Sequence, residues 1–109
     1  MIAPRLRRLP QRQLCGRTVA VAEGFHSRLL GLAGLEATEA GAGLLIPRCA
    51  GIHTFGMRFE LDVFFLDRRG RPLARRLRVP ARRLLWHPGA AAVLELPAAG
   101  GEIPTAGES

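Results

Sequence analysis

Residues 49–62 contain a thiol, an imidazole, a guanidinium and two carboxylates, which are side chains that can catalyse reactions or bind ligands. Cys49 and His53 are four residues apart, a spacing that suits a pair of zinc ligands on a helix or loop, and also a thiol–imidazole pair. A zinc site needs about three or four protein ligands. No second recognisable pair occurs among the residues that could complete such a site, which are His26, His87, Asp62 and Glu95. We therefore expect no metal and no cofactor.

Two carboxylates, Asp62 and Glu95, each lie in a stretch that is otherwise apolar. Burying a carboxylate alone is costly, so each must be paired, hydrogen-bonded or neutralised. A desolvated carboxylate could act as a general base, with His53 as the acid, in a small hydrolase-like enzyme. The sequence has no G-x-S-x-G, no glycine-rich phosphate loop and no H-E-x-x-H motif. The alternative is a structural role, in which the carboxylates hold loop amides or pair with an arginine at the rim of the fold.

The positive charge of the chain comes from arginine alone. All sixteen basic residues are arginine, and the formal net charge is +7. Half of them form an arginine stripe that contains no acidic residue, namely Arg68, Arg69, Arg71, Arg75, Arg76, Arg78, Arg82 and Arg83. Such a stripe can attract phosphate backbones, and its first six members are the candidates for binding nucleic acid. It can also be a solvated face, since the aromatic residues that stack on bases are missing there.

Length and composition limit the class of protein. A chain of 109 residues has room for one ordinary core, and 48% hydrophobic residues are too many for a disordered protein. No apolar stretch approaches the roughly 20 residues that cross a bilayer. The N-terminus is positively charged but lacks the apolar segment of a signal peptide, so we expect a cytoplasmic protein. Its thiols, Cys15 and Cys49, are then expected to be reduced and at least half-buried.

Hydrophobic patterning predicts a single barrel-like domain over residues 14–109, preceded by a flexible Arg-rich arm over residues 1–13. Strands are predicted at 15–23, 43–46, 51–55, 71–79 and 91–96, and a short helix is predicted at 25–35. Residues 67–70 are typical of a hairpin loop. The tail after residue 96 is rich in glycine and proline, with Ile103 as its one apolar anchor. These elements favour an α+β, mainly β fold: a small antiparallel curled sheet or partly open β-barrel with one short helix packed on it.

The stretch from Phe55 to Phe65 carries the clearest strand pattern. Every odd position in it is apolar, which predicts a strand with one face in the core. It is longer than most strands, so we expect a break near residues 56–60. The even positions become apolar at Phe64 and Leu66, so the second half of the strand is expected to be buried on both faces and to lie inside its sheet.

Three segments together resemble the domain of unknown function 192 family of small prokaryotic proteins. They are VAVAEGFHSRLLGLAGL, then GAGLLIPRCAGIHTFGMRFELDVFFLDRRGRPL, then AVLELPAAG followed by Ile103 and Gly107-Glu108, and they span roughly residues 17–108. The resemblance implies a compact, β-barrel-like α+β domain whose biochemical role is unassigned. The chain differs from the family pattern in ending at Ser109, where relatives continue into a last strand, so closure of the barrel is in question.

These observations lead to three functional hypotheses. The first is a non-enzymatic module that binds a small ligand or a protein partner at a rim site around His53, Arg58 and Asp62, with Thr54, Met57 and Glu95 beside them. The second is a small hydrolase-like enzyme that uses Asp62 or Glu95 with His53. The third is a barrel that binds nucleic acid through the arginine stripe.

Overall fold

The computed structural model describes residues 2–14 and 16–98, without the side chains of Phe25, His26 and Leu29. Cys15, Ile103, Gly107-Glu108 and Ser109 lie outside the described residues. The described residues form two short helices, α1 (Pro4–Arg7) and α2 (Phe25–Leu30), and a 3₁₀ turn at Ala37–Glu39. They also form eight strands: β1 (Gln11–Leu14), β2 (Arg17–Val21), β3 (Leu44–Pro47), β4 (Gly51–His53), β5 (Leu61–Leu66), β6 (Pro72–Val79), β7 (Leu84–Trp86) and β8 (Ala92–Pro97).

The strands form two sheets. Six of them pair in the order β1-β2-β3-β8-β5-β6, and β4 pairs with β7 in a separate two-stranded sheet. The prediction of a mainly β fold with a curled sheet and a short helix is confirmed, and the larger sheet is open within the described residues, with β1 and β6 as its edges. The pairing is antiparallel except between β2 and β3, which run parallel. That exception follows from the connection through α2, because parallel neighbours require a crossover.

Strand β5 supplies the core on both faces of the sheet. Leu61, Val63 and Phe65 are fully buried in the larger hydrophobic cluster, while Leu66 lies in the smaller one on the opposite face, with Phe64 packed against it. Neighbouring strands β8 and β6 flank β5. The expected central strand, buried on both sides, is therefore confirmed. Each such side chain contributes roughly 1.5–3 kcal/mol of burial free energy.

The predicted break before β5 is a turn. The carbonyl oxygen of Thr54 accepts a hydrogen bond from the N–H of Met57, and Gly56 takes a φ of +82° that favours glycine. The strand begins only at Leu61, after this turn. Because the turn interrupts the alternation, the side chain of Phe55 is 50% exposed and the prediction that it belongs to the core stripe is wrong.

Helix α1 and the start of β1 lie in the segment for which we expected a flexible arm, residues 1–13. Ala3 and Leu6 are buried in the larger hydrophobic cluster, and β1 pairs with β2 along its whole length. The guanidinium of Arg5 donates hydrogen bonds to the carbonyl oxygens of Gly31 and Ala33, at 3.2 and 2.6 Å. Ala3 and Leu6 thus anchor a segment whose other side chains are mostly exposed.

Two local signals set the ends of neighbouring elements. Helix α2 ends at Leu30 and not at residue 35 as predicted. Gly31 takes a φ of +53°, a backbone conformation that cannot continue a right-handed helix. The predicted hairpin loop at 67–70 is confirmed: the N–H of Asp67 donates to the carbonyl oxygen of Arg71, and Gly70 has a φ of +81°.

In the parts of the chain that the structure describes, no helix combines the length and hydrophobicity needed to cross a bilayer.

Candidate functional site

A concave surface lies between the end of α2, the two-stranded β4–β7 sheet and strand β8. It is a cleft of about 500 Å³, which we call the Glu95 cleft. Its lining residues are Arg28, Leu30, Gly31, Cys49, Gly51, Ile52, His53, Leu84, Leu85, Trp86 and Glu95. Apolar side chains with a few polar groups among them are typical of small-molecule sites.

The β4–β7 sheet forms the apolar wall of the cleft. Ile52 lies opposite Leu85, and Gly51 lies opposite Trp86. A Cβ at Gly51 would lie 3.2 Å from the Cβ of Trp86, so glycine allows the two strands to approach. Leu84 and Trp86, two residues apart on one face of β7, are 65% and 68% exposed, so they form a small exposed apolar patch.

Glu95 forms the polar floor of the cleft. It lies on β8, two residues after the buried Val93, so both side chains point towards the same face of the sheet. The residue is only 2% exposed, and its Oε1 atom has no hydrogen-bond partner. Burial raises the pKa of the Glu95 carboxyl to about 7, and a hydrogen bond from the backbone of Leu32 opposes that rise.

Gly31 packs directly against this carboxyl group. A Cβ placed on Gly31 would lie 3.0 Å from Oε1 of Glu95, and the φ of +53° is one that other residues rarely adopt. The end of α2 is thus shaped around Glu95. This close approach explains why a glycine follows directly on the last residue of the helix.

Arg28 contributes the one arginine of the cleft, and its guanidinium is already engaged. It donates hydrogen bonds to the carbonyl oxygens of Pro47 and Arg48 after strand β3. These bonds tie α2 to the chain that leads into β4. They hold the guanidinium against backbone oxygens at the cleft wall.

The cleft is also lined by Cys49, two residues before β4, and by His53, the last residue of β4. The thiol of Cys49 donates to the carbonyl oxygen of Gly51 at 2.9 Å, and Nδ1 of His53 accepts a hydrogen bond from the N–H of Phe55 at 3.1 Å. The Cys49 thiol is free and half-buried. Within residues 2–14 and 16–98, no three His, Cys, Asp or Glu side chains are grouped so that they could hold a metal ion.

The cleft brings together two of the six predicted ligand-binding residues, His53 and Glu95. The other four lie elsewhere. Met57 is buried in the core, and Arg58 forms a solvent-exposed ion pair of 2.9 Å with Glu36. Their role in binding therefore stays a prediction that the geometry of the cleft does not support.

Thr54 has a clear structural role. Its hydroxyl donates to the carbonyl oxygen of Pro80 at 2.7 Å and accepts from the N–H of Arg83 at 2.8 Å, while its side chain is fully buried. These bonds fix the turn before β5 to the segment between β6 and β7. Thr54 thereby holds the loop that carries β7 in place.

Asp62 satisfies the backbone at an irregularity between β5 and β6. The register shifts between Leu61 and Val63, and Arg78 on the partner strand takes a φ of +54°. Oδ1 of Asp62 accepts a hydrogen bond from the N–H of Arg78 at 2.9 Å. The carboxylate thus replaces a ladder bond lost at the bulge, which is the structural role considered as an alternative.

The arginine stripe does not form one face. Arg75 pairs with Phe64 and Arg76 with Val63, so their side chains point to opposite sides of the edge strand β6. Arg71 and Arg78 are in ion pairs with Asp67 and Glu60, at 3.3 and 3.4 Å. Exposed arginines on an edge strand also discourage pairing with other chains.

Sequence reasoning missed the cleft wall made by Leu84, Leu85 and Trp86 and the contributions of Arg28 and Gly31. Strand β7 has three residues, too few for alternation to reveal which side chains are exposed. The pairing of β7 with β4 depends on the tertiary structure, so the sequence of two such short strands does not reveal it. The apolar LLW run beside a proline-containing turn was the one available signal.

Comparisons with known proteins agree with this architecture. The sequence model of the domain of unknown function 192 family, described as "Uncharacterized ACR", matches residues 10–102. Among solved structures, the chain is similar to a protein of unknown function from Novosphingobium aromaticivorans DSM 12444, with 19% identity and a TM-score of 0.61. The match covers 76% of this chain and 66% of that one, just under two thirds of its length, and shows a shared fold. No curated protein matches. Since the family match extends over most of its length, this chain belongs to the uncharacterised domain of unknown function 192 family.

Proposed function

We propose that this protein is a non-enzymatic module that binds a small ligand in the Glu95 cleft. The observation that carries the proposal is the buried Oε1 atom of Glu95, which has no hydrogen-bond partner and belongs to a residue that lines a mainly apolar cleft. Leaving such an atom unsatisfied costs roughly 1–3 kcal/mol. A ligand that donates a hydrogen bond to it would recover that free energy on binding.

The apolar wall supports the same proposal. The side chains of Leu84 and Trp86 are mostly exposed, although large apolar residues are normally buried. A ligand in contact with these side chains would remove apolar surface from water at roughly 25 cal/mol for each Å². The wall would thus supply affinity and Glu95 would supply orientation, with His53 at the edge of the site.

The proposed site is narrower than the rim site expected from the sequence. Thr54 and Asp62 are engaged in holding backbone groups, and Arg58 pairs with Glu36 outside the cleft. The cytoplasmic location also remains a proposal, with which the free thiol of Cys49 is compatible.

A comparison of two leucine variants tests the proposal. Leu84 and Leu73 are both exposed leucines on strands, but Leu84 lines the cleft and Leu73 does not. A library of small apolar probes is titrated into ¹⁵N-labelled protein, and the shifted amides are mapped. We expect the binding probes to shift the amides of β4, β7 and β8, and to bind Leu84→Ala several-fold more weakly than wild type, with Leu73→Ala unchanged. The proposal is refuted if no probe shifts these amides, or if both variants behave alike.

The hydrolase-like alternative has one observation in its favour, the carboxyl of Glu95 with its pKa raised to about 7. A general base must lie within hydrogen-bond reach of its partner groups, and Oε1 of Glu95 accepts no bond from His53. The alternative predicts hydrolysis of model ester or amide substrates that Glu95→Gln abolishes. Activity unaffected by Glu95→Gln would eliminate it.

Nucleic-acid binding through the arginine stripe remains the third hypothesis. It is supported by the exposure of Arg75 and Arg76 and weakened by their opposite orientation. It predicts an affinity for nucleic acid that falls steeply with salt and drops when both residues are replaced by alanine. An affinity unchanged by the double replacement would exclude the stripe as the binding surface.

A further inference from the structure

We propose that the ligand of the Glu95 cleft is an organic cation, an ammonium group on an apolar body. This inference rests on the proposed function, because it names the class of ligand that the same cleft would take. It follows from the position of one carboxyl group among apolar walls. The inference is more specific than the proposed function, because the same apolar walls would also admit neutral and anionic molecules.

The first step concerns what Oε1 of Glu95 requires. An ionised carboxylate accepts hydrogen bonds and donates none, so the ligand atom facing it must carry a proton. The backbone of Leu32 already supplies one hydrogen bond to the group. A neutral hydroxyl or amide would add a second bond and leave the negative charge uncompensated. A cation supplies the bond and compensates the charge, and buried charges are tolerated when they are paired in this way.

The second step concerns the charged and titratable groups that line the cleft together with Glu95. They are Arg28 in the last turn of α2, Cys49 two residues before β4, and His53 at the end of β4. The guanidinium of Arg28 is held by the carbonyl oxygens of Pro47 and Arg48. Arg28 is the one permanent positive charge of the cleft lining, and it favours the opposite kind of ligand, an anion. An anionic probe is therefore the decisive competitor in the test.

The third step concerns the aromatic wall. Trp86 lines the same cleft and is 68% exposed, so its indole is accessible from solvent. Indole is the side chain that attracts cations most strongly through its π-face. Trp86 lies on the face of the β4–β7 sheet opposite that of Ile52 and Leu85, so its indole favours positive charge at the edge of the cleft.

The fourth step links binding to protons. The pKa of the Glu95 carboxyl is about 7 in the free protein, so the group is largely protonated near pH 6 and largely ionised near pH 8. A cation binds the ionised form and displaces the proton where the group still holds one. Its affinity should therefore rise about tenfold between pH 6 and pH 8. A neutral hydrogen-bond donor should show no comparable rise.

The experiment uses three probes of one length: hexylammonium, hexanol and hexanoate. Each is titrated by calorimetry into the full chain at pH 6 and pH 8, in two buffers that differ in ionisation enthalpy so that proton release is counted. We expect hexylammonium to bind most tightly, about tenfold more tightly at pH 8, and with proton release near pH 6. Glu95→Gln should reduce its affinity to that of hexanol and abolish the pH dependence.

A second variant tests whether the pH dependence comes from Glu95 or from His53, which lines the same cleft. His53→Gln keeps Glu95, so the rise in affinity with pH must persist in that variant. It also keeps the inference testable if Glu95→Gln fails to fold. A rise in affinity that disappears in His53→Gln would overturn the assignment to Glu95.

The remaining outcomes distinguish this inference from the proposed function. If hexanol binds as tightly as hexylammonium, or if hexanoate binds best, the cleft binds ligands but the cation inference is wrong. If none of the three probes binds at millimolar concentration, the cation inference is wrong, and the proposed function is then judged by the wider probe library. Tight, pH-dependent binding of hexylammonium that requires Glu95 supports both.

Discussion

Replacing Glu95 with glutamine should make the protein more stable at neutral pH and little different under acidic conditions. The amide has nearly the shape of the protonated carboxyl group, and its oxygen can still accept the hydrogen bond from Leu32. It cannot ionise. The variant therefore isolates the free energy of unfolding that depends on the charge of this one side chain.

The sign follows from the two pKa values. In the folded protein, burial raises the pKa of Glu95 to about 7, above its ordinary value of 4.5 in the unfolded chain. Below about pH 4.5 the group is protonated in both states, and its contribution to stability is fully present. Between the two values the unfolded chain releases a proton that the folded chain retains, so stability falls as pH rises. Above about pH 7 both states are ionised and the loss is complete.

The difference between these two pKa values sets the magnitude. At about 1.4 kcal/mol for each pH unit, it corresponds to roughly 3 kcal/mol. That is a large part of the roughly 5–15 kcal/mol that stabilises a domain of ordinary size. The stability of Glu95→Gln relative to wild type should therefore rise by roughly this amount between about pH 4.5 and about pH 8.

Urea denaturation at half-unit pH intervals measures this difference, provided that unfolding is two-state. The control is Glu23→Gln, because Glu23 is an exposed glutamate that should leave the pH profile unchanged. Arg28, Cys49 and His53 line the cleft together with Glu95 and are present in both proteins, so their own effects largely cancel in the comparison. A difference between Glu95→Gln and wild type that stays flat across this range would refute the reasoning, because Glu95 would then titrate as it does in the unfolded chain.

Three further substitutions test the local interactions that build the site and its supports. Gly31→Ala should destabilise the protein by roughly 1–3 kcal/mol in urea denaturation, since a Cβ would strain the backbone and meet the carboxyl of Glu95. Gly89→Ala, with ordinary contacts and no positive φ, should change it little, and equal effects would contradict the reasoning. Thr54→Val should cost roughly 1–3 kcal/mol by leaving two backbone partners unsatisfied, whereas Thr54→Ser should retain most of the stability. Asp62→Ala should cost a similar amount and Asp62→Asn much less, and a neutral Asp62→Ala would exclude its role at the bulge.

Much of the fold could be predicted because β5, a strand inside the larger sheet, has a clear pattern of apolar residues. In β5 the alternation and the apolar run agree, so its burial on both faces and its position inside the sheet followed from the sequence. The turn at Gly56 was expected as a break, but its consequence for Phe55 depends on hydrogen bonds that only the folded loop makes. The parallel pairing of β2 with β3 also escaped prediction, because alternation says which residues share a face and not which strands are neighbours.

The two carboxylates show where prediction from sequence stops. Asp62 and Glu95 satisfy the same sequence criterion, an acidic residue inside an apolar strand, and both are buried. They lie on neighbouring strands, yet Asp62 is opposite Leu96 in the register and Glu95 is opposite Val63. Because adjacent positions on a strand point to opposite faces, this register places the two side chains on opposite sides of the sheet. A shift of β8 by one residue would place both side chains on the same side of the sheet.

The fold treats these two groups differently, and the difference supports a ligand site. At Asp62 the bulge presents an N–H group to the carboxylate, so the fold itself supplies the partner. At Glu95 a positive-φ glycine lets the chain approach the carboxyl closely, while Oε1 is left without a partner beside the cleft. At this position a neutral glutamine should make the protein more stable than a glutamate does, so stability alone does not account for an acidic residue here. The predicted gain in stability of Glu95→Gln, together with its predicted loss of cation binding, would therefore show that Glu95 is retained for binding at a cost in stability.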